Sequence, residues 1–229
     1  PPFFFQEQDA ILDFCLSRGL GDVYKRQAMS GDALCLRADN LACVRGLRVV
    51  FADLNFAVAA GGILHVSGAN GAGKTSLLRM ICGFLAPAAG HVSLSGNTAL
   101  ARQSHYLGHA DGLKNTLTPR ETMIYESRLM AAHEVCAPED LLAHIGLAKQ
   151  ADQRVGTLSA GQRRRLALSR LLAAPRPIWL MDEPYTALDT AGRDLVDTLM
   201  RCHAEAGGMV VLAAHEAVPL ADAQLVLDA

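Results

Sequence analysis

The sequence predicts an α/β fold, a mixed sheet core interrupted by an inserted helical subdomain. Three observations carry that expectation. Ile63 to Ser67, the glycine-rich run Gly68 to Ser76 (GANGAGKTS) and the helically spaced Leu77, Leu78, Met80 and Ile81 read as strand, loop and helix. From about residue 108 to 174 the pattern is mostly helical, which inside an α/β core implies a second lobe, about residues 110–174. After it, short apolar runs alternate with helical pattern, as parallel strands joined by crossovers do.

Composition sets limits on this reading. The 229 residues suffice for one α/β domain or one domain with a small lobe. Hydrophobic residues at 51% supply a core and exclude wholesale disorder. The net charge of −2 leaves no basic surplus to attract nucleic acid. The six cysteines (Cys15, Cys35, Cys43, Cys82, Cys136, Cys202) show neither a C-x-x-C pair nor framework spacing, so thiols are expected. Cys35 and Cys82 sit within apolar runs and read as small buried hydrophobes. No uninterrupted apolar stretch approaches the roughly 18 residues of a membrane-spanning helix. Work at a membrane would therefore run through a partner.

Residues 1–28 stand outside the periodic pattern and read as a non-native or disordered leader. No basic segment precedes Phe3-Phe4-Phe5, so a signal peptide is not indicated. The run Leu16 to Gln27 resembles a tail that recurs at the ends of assembled environmental reading frames, which puts the start near Met29. From Leu34 the pattern is strand-like: Leu34 to Leu36, Leu41 to Val44, Val49 to Phe51, then Leu54, Phe56 and Val58 in alternation. Ala60-Gly61-Gly62 turns the chain into the strand at Ile63. Gly83 and Pro87 break the helix after the loop, and His91 to Ser95 is a further short strand.

In the helical region, Thr118-Pro119-Arg120-Glu121 places Thr at the N-cap, Pro at N1 and Glu at N3. Pro138 opens a second helix that Gly146 closes. Ser159-Ala160-Gly161-Gln162 repeats the capping-box spacing and opens a helix running to Pro175, with Leu166, Leu168, Leu171 and Leu172 inward. Ile178 to Met181 is a continuous apolar run, as in a strand buried on both faces. Thr190 to Glu205 is a helix stopped by Gly207-Gly208, and Val210 to Leu212 and Leu225 to Leu227 are two more buried strands.

The chemistry follows from the loop. Gly68, Gly71 and Gly73 let the backbone of residues Gly68, Asn70, Gly71, Ala72 and Gly73 curl so that N–H groups face an anion, with the start of the next helix behind them. Lys74 is placed to reach the β- and γ-phosphates of a nucleotide and the Thr75 hydroxyl, beside Ser76, to ligate Mg²⁺. Asp182 and Glu183 follow a buried strand, where ligands gather in parallel sheets. There Asp182 would hold Mg²⁺ opposite Thr75, and Glu183 would polarise the attacking water.

Three further pieces arrive in order: LSAGQ at 158–162, Ala187-Leu188-Asp189, and His215 after Val210–Ala214. With the phosphate loop and Asp182-Glu183, the stretch from Leu34 onward resembles the ATP-binding cassette (ABC) ATPases, a P-loop NTPase fold. The resemblance implies ATP and Mg²⁺ as ligands, LSAGQ as the signature motif, Asp189 in the D-loop, and His215 as the switch histidine at the γ-phosphate. It implies that two copies pair head to tail, so that each ATP lies between one phosphate loop and the other copy's Ser159, Gly161 and Gln162. Ser159 caps a helix whose first N–H groups, Gly161 included, suit an anion.

Two positions depart from the family pattern. Arg45 stands where an aromatic residue commonly stacks on the base, and a guanidinium can also lie flat on one. His109 stands where a Gln is usual, in YLGHADGLK; an imidazole can orient water and gain a proton near neutral pH, and the alternative is that it packs the hinge. YLGHADGLK, LTPRE, LSAGQRRRLALSRLL and WLMDEPYTALD together resemble the CcmA family, ATP-binding subunits of the haem-export complex of cytochrome c maturation. That likeness implies an ATPase peripheral to the cytoplasmic face of the inner membrane. It also implies an integral membrane permease partner of CcmB-like type, docked around Thr118 to Met130. An ATPase subunit of another exporter is the alternative, and a soluble non-transport cassette a more distant one. His65, His91, His105 and His133 read as surface or core residues rather than haem ligands.

Overall fold

The computed structural model describes residues 34–95, 99–129, 137–174 and 176–228. The expectations for residues 1–28, including Cys15, and those for Met130, His133, Cys136 and Pro175, lie outside the described residues.

The expected mixed core is built from two sheets, one antiparallel and one parallel. Strands β1 (Cys35–Arg45), β2 (Arg48–Ala59) and β4 (Ala89–Leu94) form an antiparallel sheet in the order β2-β1-β4. Strands β3 (Ile63–Gly68), β5 (Ser104–Leu107), β6 (Ile178–Asp182), β7 (Met209–Ala213) and β8 (Ala223–Leu227) form a parallel sheet in the order β5-β6-β7-β3-β8. The division follows the sequence pattern. Residues 36–58 alternate because one sheet face is solvated, whereas β6 and β7 are continuous apolar runs because both faces are covered.

The three short runs expected between Leu34 and Phe51 are parts of β1 and β2, held in register through bulges near Leu41 and Cys43. Ser104–Leu107 was not expected as a strand, since its two polar residues hide the apolar signal; both are buried. β8 is an edge strand with most of its residues exposed, not a buried one, because among the described residues no strand pairs with its outer side. Cys35 is only half-buried, while Cys43, Cys82 and Cys202 are buried, and all four are thiols.

Helix α1 (Lys74–Ile81) buries Leu77, Leu78 and Ile81 in a core shared by both sheets. Between β5 and β6 lie α2 (Pro119–Leu129), α3 (Pro138–His144), α4 (Ala160–Leu168) and α5 (Arg170–Ala173). Thr118 forms its capping box with Glu121: the Thr118 N–H donates to Glu121 Oε2 at 2.9 Å, and the Glu121 N–H to Thr118 Oγ1 at 3.2 Å. Met123, Leu141, Leu142, Ile145, Leu147, Val155, Leu158 and Leu166 make a separate apolar cluster within these helices. The single helix expected from Ser159 to Pro175 is broken at Ser169, whose N–H bonds Leu166 O, three residues back rather than four, and whose hydroxyl donates to the same carbonyl. Helix α6 (Thr190–Glu205) packs Val196 and Leu199 on the other face of the parallel sheet.

Candidate nucleotide-binding and hydrolytic site

The parallel strand order builds the site. In adjacent strands β5, β6, β7 and β3, the carboxyl ends lead to His109, Asp182-Glu183, His215 and the glycine-rich loop respectively. Residues distant in sequence thereby converge on one edge of the sheet, where such folds hold ligands. The result is an open cleft of about 460 Å³ lined by Arg45, Asn70, Gly71, Gly73, Lys74, Thr75, Ser76, His109, Asp182, Glu183 and His215, together with Arg48, Val50 and Ala69.

The loop owes its shape to its glycines. Gly73 has φ +103°, and a Cβ there would fall 2.6 Å from Val50 Cγ1, so the sheet presses against the loop at that point. Helix α1 starts directly after Gly73 with no side chain capping its first N–H groups. Gly73, Lys74, Thr75 and Ser76 line the cleft, and N–H groups at a helix start suit an anion. Lys74 is buried, and its Nζ donates to Gly68 O at 2.6 Å and Ala69 O at 3.3 Å, which closes the loop into a ring around the ammonium. Gly68 and Ala72 do not line the cleft. Gly68 ends β3 against Leu227 O, Ala72 is in the core, and both contribute through the backbone.

The metal-binding expectation meets a suitable donor set. Thr75 Oγ1 donates to Asp182 Oδ2 at 2.8 Å, although the two lie 107 residues apart, and Asp182 is almost fully buried. A hydroxyl beside a carboxylate, next to an uncapped helix start, fits Mg²⁺ held with phosphate oxygens. Glu183 is half-buried and lies in the left-handed region with φ 51°, which a non-glycine residue adopts rarely. Its Oε1 lies 3.5 Å from His215 Nε2, an ion pair only when the imidazole is protonated. Residues around His215 are fixed from two sides: Ala214 O bonds the buried His65 ring at 3.0 Å, and Glu216 pairs with Arg193 of α6 at 2.6 Å.

The signature residues sit elsewhere. Ser159, Gly161, Gln162 and Asp189 are not among the residues lining the cleft of their own chain. Ser159 Oγ accepts the Gln162 N–H at 3.2 Å, and Gln162 Oε1 accepts the Ser159 N–H at 2.9 Å. Gln162 is thus engaged in the capping box, whereas the Ser159 hydroxyl retains its proton for another acceptor. Asp189 caps α6, its Oδ1 accepting from Gly192 N at 2.9 Å. Gly161 is pressed against the segment that leads into α6: a Cβ there would lie 2.9 Å from Ala187 O.

Sequence reasoning missed Arg48, Val50 and Arg164. The first two follow from Arg45, because a tight hairpin returns the chain from β1 to β2 at the same end. Arg164 is buried beneath the cleft, and its helical spacing with the inward Leu168 and Leu171 was the available signal.

Comparison with known proteins bears on this geometry. A family model described as ABC transporter matches residues 51–186, more than half of the chain. A protein of Bradyrhizobium diazoefficiens named cytochrome c biogenesis ATP-binding export protein CcmA is 46% identical over 193 residues, covering 83% of this chain and 96% of that protein. The chain belongs to the CcmA branch of the ABC transporter ATPase family. A CcmA protein of Rhodopseudomonas palustris is 44% identical over 197 residues, 98% of its length. A putative ABC transporter ATP-binding protein from Pyrococcus furiosus shares the fold, with a TM-score of 0.76 at 22% identity over 84% of this chain and 97% of that one. A bacterial Atm1-family ABC exporter with ATP bound aligns with a TM-score of 0.74 and 26% identity over 86% of this chain, which corresponds to 37% of the exporter. The CcmA relatives are named as ATP-binding export proteins, and the family match spans both the glycine-rich loop and Asp182-Glu183 of this chain. Among the described residues, no helix is long and apolar enough to cross a membrane.

Proposed function

We propose that this chain hydrolyses ATP as the nucleotide-binding subunit of an exporter, and that the hydrolysis drives haem handling for c-type cytochrome biogenesis. The observation that carries the ATPase reading is the convergence of Lys74, Thr75, Asp182, Glu183, His109 and His215 on one cleft from four adjacent strand ends. The export assignment rests on the names of the CcmA relatives.

In this reading the loop N–H groups and Lys74 bind and orient the phosphates, and Arg45 and Arg48 hold the base and ribose end. Thr75 and Asp182 would hold Mg²⁺, which when bound offsets negative charge on phosphate oxygens. Glu183 takes the proton of the attacking water, with His215 and His109 orienting water and γ-phosphate beside it. Ser159, Gly161 and Asp189 serve the nucleotide of a second copy, because they lie outside the cleft of their own. The Ser159 hydroxyl and the first N–H groups of α4 are the donors offered across that interface.

The helical subdomain, about residues 110–174, is the part we assign to a membrane permease. Ile124, Tyr125 and Leu129 are exposed on α2, beside Lys114, whose Nζ lies 4.4 Å from the Tyr125 ring centre. An apolar strip of this kind on a charged helix suits a short helix of a partner protein. The protein would then sit at the cytoplasmic face of the inner membrane through that partner.

Glu183→Gln tests the reading. The variant should bind Mg-ATP with affinity within about threefold of the parent and hydrolyse it at least about 100-fold more slowly. It should also form an ATP-dependent dimer that Ser159→Arg abolishes. Cells whose only copy carries Glu183→Gln should lose covalent haem from c-type cytochromes, read by haem staining. Undiminished hydrolysis removes Glu183 from the mechanism, and normal haem staining removes the cytochrome assignment.

A further inference from the structure

Arg164, the fifth residue of α4, is 2% exposed and lies outside the cleft. A buried guanidinium has to satisfy five N–H donors, and this one meets five acceptors. Nε donates to Pro184 O at 3.3 Å, and Nη2 to Asp182 O at 3.0 Å and Glu183 O at 2.7 Å. Nη1 donates to Gly108 O at 2.9 Å and to Asp111 Oδ1 at 3.2 Å. Three of these acceptors are consecutive carbonyls around the left-handed Glu183. The other two flank His109.

The arrangement has a physical reason. A left-handed residue after β6 turns the carbonyls of residues 182–184 towards one point, where their dipoles repel each other unless a cation sits among them. Arg164 is that cation, and its planar fork fixes direction as well as charge. The same fork holds the loop carrying His109 at both sides. Among the described residues Asp111 is the one carboxylate paired with Arg164, and the other four acceptors are backbone carbonyls of the site. Arg164 rides on the helix that Ser159 caps, so a shift of that helix would move its contacts to Glu183 and to the His109 loop together.

We propose that Arg164 is a positioning residue for hydrolysis, which sets the Glu183 and His109 side chains and ties their placement to the helix that begins at Ser159. It acts from outside the cleft lining. This inference rests on the reading of Glu183 as the hydrolytic group.

Arg164→Lys in the full-length protein tests it. A lysine brings three donors to five acceptors, so the positive charge remains but the fork is lost. Turnover should fall at least about tenfold, while Mg-ATP affinity stays within about threefold, a split expected of misplacement near the reacting atoms. In the Glu183→Gln background, Arg164→Lys should lower the residual turnover by a clearly smaller factor than in the parent, because part of its effect runs through Glu183 and only the part through His109 remains. Loss of hydrolysis in Glu183→Gln with normal turnover in Arg164→Lys would overturn the inference and leave the Glu183 reading intact. Unchanged hydrolysis in Glu183→Gln would sink the reading itself. If Arg164→Lys fails to fold, Asp111→Asn decides: it keeps the carbonyl contacts and loosens only the His109 loop. It should lower turnover about threefold or more at unchanged affinity, and its effect should vanish in a His109→Ala background. Wild-type turnover in Asp111→Asn, or full additivity with His109→Ala, would overturn the proposal.

Discussion

Acid should unfold this protein through two histidines remote from the nucleotide cleft. His105 on β5 bonds Ala174 O at 2.6 Å, and His203 on α6 stacks on Trp179 with ring centres 3.9 Å apart. Burial is the first cause that lowers both imidazoles, His105 to about 4 and His203 to about 3. Arg176 and Arg170 also lower His105, and His105 itself lowers His203. Each ring is therefore neutral in the folded chain and binds a proton near pH 6.5 once unfolded. Their contribution is fully present above pH 6.5 and is lost as pH falls from there towards the folded values. Each histidine loses about 1.4 kcal/mol per pH unit, so at pH 5 the two together cost about 4 kcal/mol. That is a large share of the roughly 5–15 kcal/mol typical of a domain. Urea melts at pH 7.5, 6.5, 5.5 and 5.0 measure it. The carboxylates with lowered affinity for protons, Asp152 and Glu216, act mainly below this window. His203→Phe keeps the stack on Trp179 and should halve the slope between pH 6.5 and 5. A slope identical to the parent would refute the argument.

Two further tests concern the cleft. Gly73→Ala adds a methyl at φ +103° against Val50 and Phe51, whereas Gly71→Ala, at φ +86°, meets no atom within 4 Å. Both pay for the left-handed backbone, about 1–2 kcal/mol, but only Gly73→Ala must also push the sheet away. Calorimetry with Mg-ATP should show a loss of affinity at least about tenfold larger for Gly73→Ala, and equal losses would contradict the steric account. Among the described residues no aromatic side chain lines the cleft, and Arg45 and Arg48 stand at its hairpin end. ATP and GTP should therefore bind within about threefold of each other, and Arg45→Ala should weaken both. A preference for ATP of tenfold or more in the parent chain would show that the hairpin does not hold the base.

Much of this was legible because the signals are local. A glycine loop between a strand and a helix, a capping box at Ser159 or Thr118, and the apolar run at Ile178 each depend on a few neighbouring residues. What was not legible depends on packing between distant segments. Ser104–Leu107 becomes a strand only because β6 offers its edge and Ala174 takes the His105 ring. The expected burial of β8 failed for the converse reason, since position in the sheet order, not composition, decides which strand is outermost. Arg45 was placed by its hairpin, but Arg164 sits in a run of three arginines and shows its role only when Gly108, Asp111 and Pro184 are around it.

On the proposed pairing of two copies, the same distinction bears on how each cleft would be completed. Its anion-binding elements would come from two kinds of helix start. That of α1 is uncapped and opens onto the cleft, with Lys74 closing the loop beneath it. That of α4 is stabilised by its own capping box, so it keeps its shape without a ligand and can wait as a preformed surface. An uncapped start gains most from a bound phosphate, and a capped one adds specificity at little cost in order. Arg164 then gives the capped helix a consequence inside its own chain, through the carbonyls of Asp182, Glu183 and Pro184. Contact at Ser159 with another copy's nucleotide would thereby be felt at Glu183 of the chain that donates the serine. Turnover at the two sites of a pair should accordingly be coupled: a mixed pair with Arg164→Lys in one copy should lose rate at that copy's own Glu183, while the site to which its Ser159 contributes keeps binding ATP.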